Sequence, residues 1–311
     1  MVSFVREFEA RLRGPVLVVG KSGQLARCLQ EAAIRRNLAL VSVGRPELDL
    51  ERGDDLAETV TAMSPAAIIN AAAYTAVDRA EAEPKRAYRV NRDAAGRMAA
   101  VAREQGIPFI HVSTDYVFDG RKHSPYREDD QTGPLNVYGR SKLEGEAAVL
   151  KVDPGAIVLR TAWVYSPYGQ NFVRTILRLS ATQPAVLVVS DQYGSPTSAL
   201  DLAEAILTIV HQARADHGSV GGIYHLTAQG DVSWHDFATA IFEQLARRGL
   251  PVPDLQAIIT DDYPTPARRP ANSRLDCSKA AQVFGVRLPH WHSSLEECLA
   301  CLLAPADVPA C

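Results

Sequence analysis

The chain has 311 residues, 47% of them hydrophobic, and a formal net charge of −3. That is ample apolar material for one large α/β domain or two unequal ones. The near-neutral balance gives no electrostatic case for a nucleic-acid or anionic-membrane partner. No apolar run is long enough to span a bilayer, and Met1 to Arg13 is charged without the apolar stretch of a signal peptide, so a cytoplasmic protein is expected.

Strands and helices alternate along the first half, which predicts a Rossmann-type, doubly wound parallel sheet. Pro15 to Gly20 is a short β-branched run that reads as a buried strand, and the helical stretch Arg27 to Arg36 follows the turn Gly20-Lys-Ser-Gly23-Gln-Leu-Ala26. Leu38 to Val43 reads as strand two, ending at Gly44-Arg45, and Ala66 to Ala73 as strand three. A helix over Arg86 to Gln105 stops at Gly106, before strand four, Phe109 to Ser113. The loop Asp119 to Asn136 leads to a helix over Tyr138 to Leu150 and a fifth strand over Ala156 to Tyr165.

The second half is less regular. Helical periodicity is read at Phe172 to Leu179, Leu200 to Gln212 and Trp234 to Arg248, with an apolar run at Ala185 to Ser190. Residues 1–165 are assigned mainly to a dinucleotide-binding domain, with residues 1–14 as an extension. Residues 166–311 are assigned mainly to a smaller substrate-binding region that caps the pocket and crosses back to the sheet. Tyr263 to Ser273 is a Pro-rich loop whose two cations, Arg268 and Arg269, could meet a phosphate. Cys28, Cys277, Cys298, Cys301 and Cys311 are an odd count without disulfide-framework spacing. Cys298-x-x-Cys301 sits in a helical stretch with no second ligand pair, and His290-x-His292 lies among a Pro and aromatics, so packing is expected and no metal site is assigned.

The most informative segment is Tyr138-Gly-Arg-Ser-Lys142, preceded by Ser113-Thr114-Asp115. Residues four apart share a helix face. A phenol is a poor acid at neutral pH, and a neighbouring ammonium is expected to lower its pKa and make it a usable proton donor. The Thr114 hydroxyl can hydrogen-bond the same substrate oxygen, and the three groups suit reduction of a carbonyl. The glycine turn, Gly-x-x-Gly-x-x-Ala, departs from both the Gly-x-Gly-x-x-Gly fingerprint and the Walker loop, but it permits close approach of a pyrophosphate to a helix N-terminus.

Taken together, these segments resemble the extended short-chain dehydrogenase/reductases, in particular the dTDP-4-dehydrorhamnose reductase group, from Val16 to about Leu295. The resemblance is carried by Gly20 to Leu25, Asn70 to Asp78, Ser113 to Gly120, Pro134 to Glu146, Arg160 to Tyr165, Asp191 to Thr197 and Pro264 to Ser273. It implies delivery of hydride from NAD(P)H to C4 of dTDP-4-dehydro-6-deoxy-L-mannose, giving dTDP-L-rhamnose, with pairing of subunits as a homodimer common; Arg45 makes NADPH the expected preference and NADH a weaker substitute. By position it makes Tyr138 the proton donor, Lys142 the nicotinamide-ribose ligand and Thr114 the group that orients the C4 oxygen. Asp115 and Trp163 then contact the sugar. Gly20, Gly23, Gln24 and Leu25 approach the diphosphate, and Ala73, Tyr74 and Thr75 lie along the cofactor. At the end of strand two, Arg45 would take a 2′-phosphate, with Asp49 and Leu50 beside the adenine.

Two rival functions share the fold. A nucleotide-sugar 4,6-dehydratase needs an acid after the Asp of its Thr-Asp pair, and Tyr116 stands there instead. A non-catalytic regulatory relative is disfavoured by the intact Thr114, Tyr138 and Lys142. The sequence leaves open which keto-sugar is reduced.

Overall fold

Four buried aliphatic residues, Val16–Val19, form strand β1, second from one edge of a six-stranded sheet in which every pairing is parallel. The computed structural model describes residues 14–52, 56–215 and 219–304; the N-terminal stretch to Arg13 and Cys311 lie outside them. The other strands are β2 (Leu40–Val43), β3 (Ala67–Asn70), β4 (Phe109–Thr114), β5 (Ile157–Thr161) and Gly222–His225. Their order across the sheet is β2, β1, β3, β4, β5, then Gly222–His225. The chain therefore turns one way after β1 and the other way after β2. This switch opens a crevice beyond the carboxyl ends of β1 and β3, where ligands bind in open α/β sheets.

Apolar residues cover both faces, as buried parallel strands require. One face packs on the helix Gln24–Arg35, the helix Ala199–Ala215 and the short helix Ser278–Phe284; the other packs on Leu56–Met63 and Ala94–Gln105. A third apolar cluster, around Phe237, Trp291 and Leu295, joins the helices Phe172–Thr182, Trp234–Arg247 and Trp291–Leu303. Beside it the run Ala185–Val189 pairs in parallel with Asp254–Ile258, away from the main sheet. Cys298 is a buried free thiol within this cluster.

The expected doubly wound sheet is present, with local differences that have physical causes. Strand three stops at Asn70, whose side-chain oxygen accepts the Ala72 N–H at 3.2 Å and bends the chain out of the sheet. The fifth strand is cut at Ala162-Trp163, where Trp163 adopts φ 49°, and resumes as Val164–Tyr165 paired with Thr197–Ser198. The predicted helix Arg86 to Gln105 is three pieces: Pro84–Tyr88, one π-helical turn over Arg89–Asp93, and Ala94–Gln105. Gly106 ends it at φ 65°. The sixth strand was not expected; it pairs Gly222 with Ile157 and His225 with Arg160.

One interior ion pair fixes the helix Val137–Val152 against the sheet. Arg160 of β5 and Glu146 of that helix meet at 2.7 Å, each side chain 2% exposed. The Arg160 Nε–H also reaches Glu146 Oε1 at 3.0 Å, and the Ser113 hydroxyl donates to the same oxygen at 2.5 Å. Removing one member of a buried pair strands the other charge, at a cost of about 3–5 kcal/mol, whereas an apolar pair of similar volume is often neutral. Glu146→Ala should therefore lose about 3–5 kcal/mol in urea denaturation, and Glu146→Leu with Arg160→Met should recover most of it.

Candidate active site

The helix carrying Tyr138 and Lys142 begins one residue earlier than expected, at Val137. Its first turn is well capped: Asn136 Oδ1 accepts the Gly139 N–H at 2.8 Å and Glu81 accepts the Val137 N–H at 2.7 Å. Tyr138 is half-buried in that turn, and Lys142 is buried one turn on, 1% exposed. Gly145 lets the helix approach the Arg89–Asp93 turn, because a Cβ there would collide with the Asn91 carbonyl. From that turn Asn91 Nδ2 donates to Ser141 Oγ at 2.9 Å, while its Oδ1 accepts the Tyr74 N–H at 2.8 Å. The loop after β3 is thus tied to the Tyr138 helix.

The carboxyl end of β4 supplies the rest of the reacting edge. The Thr114 hydroxyl donates to Asp115 Oδ1 at 2.9 Å and accepts the Tyr116 N–H at 3.2 Å. Burial raises the Asp115 carboxyl to about 6, against hydrogen bonds from Ser273 and Thr114. Its second oxygen is buried with no partner among the described residues. Burial likewise pushes the Tyr138 phenol up to about 12, with the Thr114 hydroxyl pulling the other way and the Asp115 charge adding to the rise. The lowering expected from Lys142 is not seen. The Lys142 ammonium is turned to the Val112 carbonyl at 2.7 Å and toward His111 Nε2 at 3.3 Å, and desolvation decides the phenol's state. Tyr116, which takes the place a dehydratase gives to an acid, packs edge-on against Tyr138, ring centroids 5.8 Å apart.

The β1 turn forms the other wall. Gly20 has φ 124°, and a Cβ there would press on the Ala71-Ala72 backbone at 3.3 Å. Gly23 caps the helix Gln24–Arg35 with no side-chain hydrogen bond and no acid in the first turn, and a Cβ built on it meets nothing. A helix N-terminus with free N–H groups before open space fits a diphosphate. Gln24 is less free than expected: its Oε1 accepts from Ser166 and Asn171, both at 2.9 Å, which leaves its backbone for the turn. The Leu25 side chain is buried in the core. Arg45 is exposed just past β2; Lys21 packs against the preceding Gly44 and pairs with Glu47 at 2.6 Å. Asp49 caps the Glu51 N–H at 3.0 Å, and Leu50 is half-buried against the sheet's second face. Ala73, Tyr74 and Thr75 follow β3, the Tyr74 hydroxyl donating to Glu83 at 2.7 Å. The residues present fit a dinucleotide with a phosphate-bearing adenosine end.

Trp163 is half-buried and stacked on Trp234, centroids 3.4 Å apart and planes 4° from parallel. The Tyr263 to Ser273 loop reaches the site through Ser273, but Arg269 is already paired with Asp78 at 2.8 Å, leaving the exposed Arg268 as the cation open to an anion. Sequence reasoning missed Asn70, Asn91, His111, Glu146, Ser273 and Trp234. Each acts through a partner remote in sequence; the one local signal was polar residues at strand positions that should be apolar. Among the described residues no group of His, Cys, Asp or Glu could hold a metal ion.

The Asp115 carboxyl gives a stability test. Its folded pKa, about 6, lies above the ordinary 3.8, so its contribution is fully present below pH 4 and lost as pH rises through 6. Asp115→Asn removes that titration. Between pH 4 and pH 7 the stability of the variant relative to wild type should therefore improve by roughly 2–3 kcal/mol. Urea denaturation at the two pH values measures this, and an unchanged difference would place the charge in water.

Residues 14–303 match the family described as the RmlD substrate binding domain. A dTDP-4-dehydrorhamnose reductase of Sinorhizobium fredii is 47% identical over 290 residues, covering 92% of this chain and 97% of that protein. The dTDP-4-dehydrorhamnose reductase of Escherichia coli K12 is 41% identical over 289 residues, covering 91% and 96%. Among solved structures, the dTDP-4-dehydrorhamnose reductase of Bacillus anthracis in complex with NADP superposes with a TM-score of 0.84 at 32% identity, covering 92% and 98%. In the described residues no helix is long and apolar enough to cross a membrane. The chain belongs to the RmlD substrate-binding domain family.

Proposed function

We propose that this protein is an NADPH-preferring dTDP-4-dehydrorhamnose reductase that converts the C4 ketone of dTDP-4-dehydro-6-deoxy-L-mannose to the alcohol of dTDP-L-rhamnose. The observation that carries this reading is the reacting edge itself. The Tyr138 phenol and the Thr114 hydroxyl meet at the end of β4, with the buried Lys142 one helical turn on, beside a helix N-terminus that has no side-chain cap and fits a diphosphate. Family membership across nearly the whole chain supports the substrate class. A cytoplasmic location, expected from the sequence, and pairing of subunits, implied by the resemblance, belong to the same proposal.

Reduction needs a hydride and a proton. The bound nicotinamide supplies the hydride. Tyr138 holds the proton: with its phenol near 12 it stays protonated through neutral pH and releases the proton only to a strong base, such as the alkoxide that develops at C4. Thr114 donates a second hydrogen bond to that oxygen once its hydroxyl turns from Asp115. Gly20, Gly23 and the backbone of Gln24 and Leu25 hold the diphosphate. Ala73 to Thr75 line the cofactor, positioned by Asn91. Arg45, with Asp49 and Leu50 beyond it, takes the adenosine end. Trp163 offers an apolar face to the deoxysugar ring, and Asp115 a hydrogen-bond partner. Residues to about 165 mainly carry the cofactor, and those after it mainly the sugar.

Tyr138→Phe removes the transferable proton and little else. Its kcat with the keto-sugar should fall about 10²–10⁴-fold, with NADPH affinity by fluorescence titration preserved. Retention of most of the wild-type kcat would give the proton to another donor. For cofactor choice, the measurement is kcat/KM with NADPH and with NADH. The ratio should favour NADPH in wild type and drop in Arg45→Ala; an unchanged ratio removes Arg45 from the site.

A further inference from the structure

His111 lies in β4 with no exposed surface, two polar partners and no assigned role. Its neighbours determine where its proton sits. The Ala72 N–H can only donate, and it points at Asn70 Oδ1 at 3.2 Å. That orients the amide, so Asn70 Nδ2 faces His111 Nδ1 at 2.9 Å and donates to it. An Nδ1 that accepts leaves the imidazole proton on Nε2. Nε2 lies 3.3 Å from Lys142 Nζ, an atom that already donates to the Val112 carbonyl at 2.7 Å. When Lys142 is an ammonium, two donors face each other in a buried site. When it is an amine, its lone pair accepts the Nε2–H and every group in the chain Ala72, Asn70, His111, Lys142 is satisfied. The network holds one proton too many while the lysine is charged.

We propose that His111, locked by Asn70 with its Nε2–H toward Lys142, is a positioning residue that primes Lys142 to give up a proton during turnover. This rests on the roles of Tyr138 and Lys142 in the reaction proposed above. Once Tyr138 has protonated the C4 oxygen it is a phenolate, and it must regain a proton before the next cycle. One Lys142 N–H turns from the Val112 carbonyl and gives its proton to the phenolate one helical turn away; the amine left behind accepts the His111 Nε2–H, and a proton from water admitted as product leaves restores the ammonium.

The surroundings agree. Burial lowers the Lys142 ammonium to about 8, opposed by the Glu146 charge, and it drives the His111 imidazole well below its ordinary value, aided by Lys142. Glu146, on the same helix, is compensated by Arg160 of β5. Just past the end of β4, Asp115 is buried and takes the Thr114 hydroxyl at 2.9 Å. The Arg89–Asp93 turn presents Asn91 and spends Arg92 on Asp93 and Glu144. From the Val77–Ala82 helix, Glu81 is engaged at the Val137 N–H, and on Pro84–Tyr88 the Tyr88 ring lies under Arg92.

Three measurements on the full chain test this. Long-range ¹H–¹⁵N NMR of histidine-labelled protein should show His111 as the Nε2–H tautomer, unchanged from pH 6 to pH 9; an Nδ1–H tautomer or an imidazolium in that range overturns the proposal. Asn70→Asp gives Nδ1 a carboxylate acceptor while still capping Ala72, so the tautomer should reverse and present a bare Nε2 to Lys142. The Lys142 titration, followed by its ¹³Cε shift, and the alkaline limb of kcat should both then move up by about one pH unit or more. A reversed tautomer with neither moved overturns the coupling. Should Asn70→Asp not fold, His111→Gln, whose side-chain carbonyl can accept from Lys142, must raise the Lys142 titration in the same direction, and an unchanged titration counts against us. The NMR readings need no substrate, so a wild type inert toward the keto-sugar would sink the proposed function and leave this inference separately decided.

Discussion

The edge proposed for catalysis depends on a buried charge. Glu146 and Arg160 bind each other in the interior, at the junction of the Tyr138 helix with β4 and β5. An interior ion pair is an indifferent source of stability, because desolvation consumes most of its Coulomb energy. What it supplies here is register. The carboxylate takes three guanidinium contacts and a hydroxyl, a pattern that a slide of one helical residue would break. Lys142 lies one turn before Glu146 and Tyr138 two turns before it, so fixing Glu146 fixes where both face the end of β4.

The same pair shapes its neighbours. Arg160 lies over the Phe118 ring at 5.1 Å and beside His225, whose imidazole is lowered to about 3 by burial and by that guanidinium. His225 is therefore neutral, and its backbone N–H is taken by Glu128 at 2.9 Å. Through these contacts the loop between β4 and the Tyr138 helix, and the late strand Gly222–His225, are bound to the ion pair. The return of the chain to the sheet thus completes the polar interior behind the active site.

This explains what was legible in the sequence and what was not. β1, β3 and β4 announce themselves because buried parallel strands are continuous apolar runs, and the Tyr138 and Lys142 pair because helical spacing is local. Gly222–His225 has two ordinary apolar positions and a histidine, and its place is set by pairing with residues more than sixty positions earlier. Asn70, His111 and Glu146 read as polar intrusions into apolar segments, since their partners come from other elements. The phenol of Tyr138 is the instructive error. Spacing alone placed an ammonium beside it, but the Val112 carbonyl and His111 hold that ammonium elsewhere, and burial then acts on the phenol with little opposition.

Trp163 shows how the two halves of the chain are coupled. A bulky residue in the left-handed region costs of order 1–3 kcal/mol, so its surroundings must over-determine it. The flat stack on Trp234, with Phe172 tilted against the second indole at 4.5 Å, supplies that constraint. The turn at Trp163 also ends β5 and starts the short pairing of Val164–Tyr165 with Thr197–Ser198. A single strained residue therefore marks where the sheet hands over to the cap. The aromatic packing that stabilises it comes from the helices Phe172–Thr182 and Trp234–Arg247, so the orientation of that indole is tied to those helices.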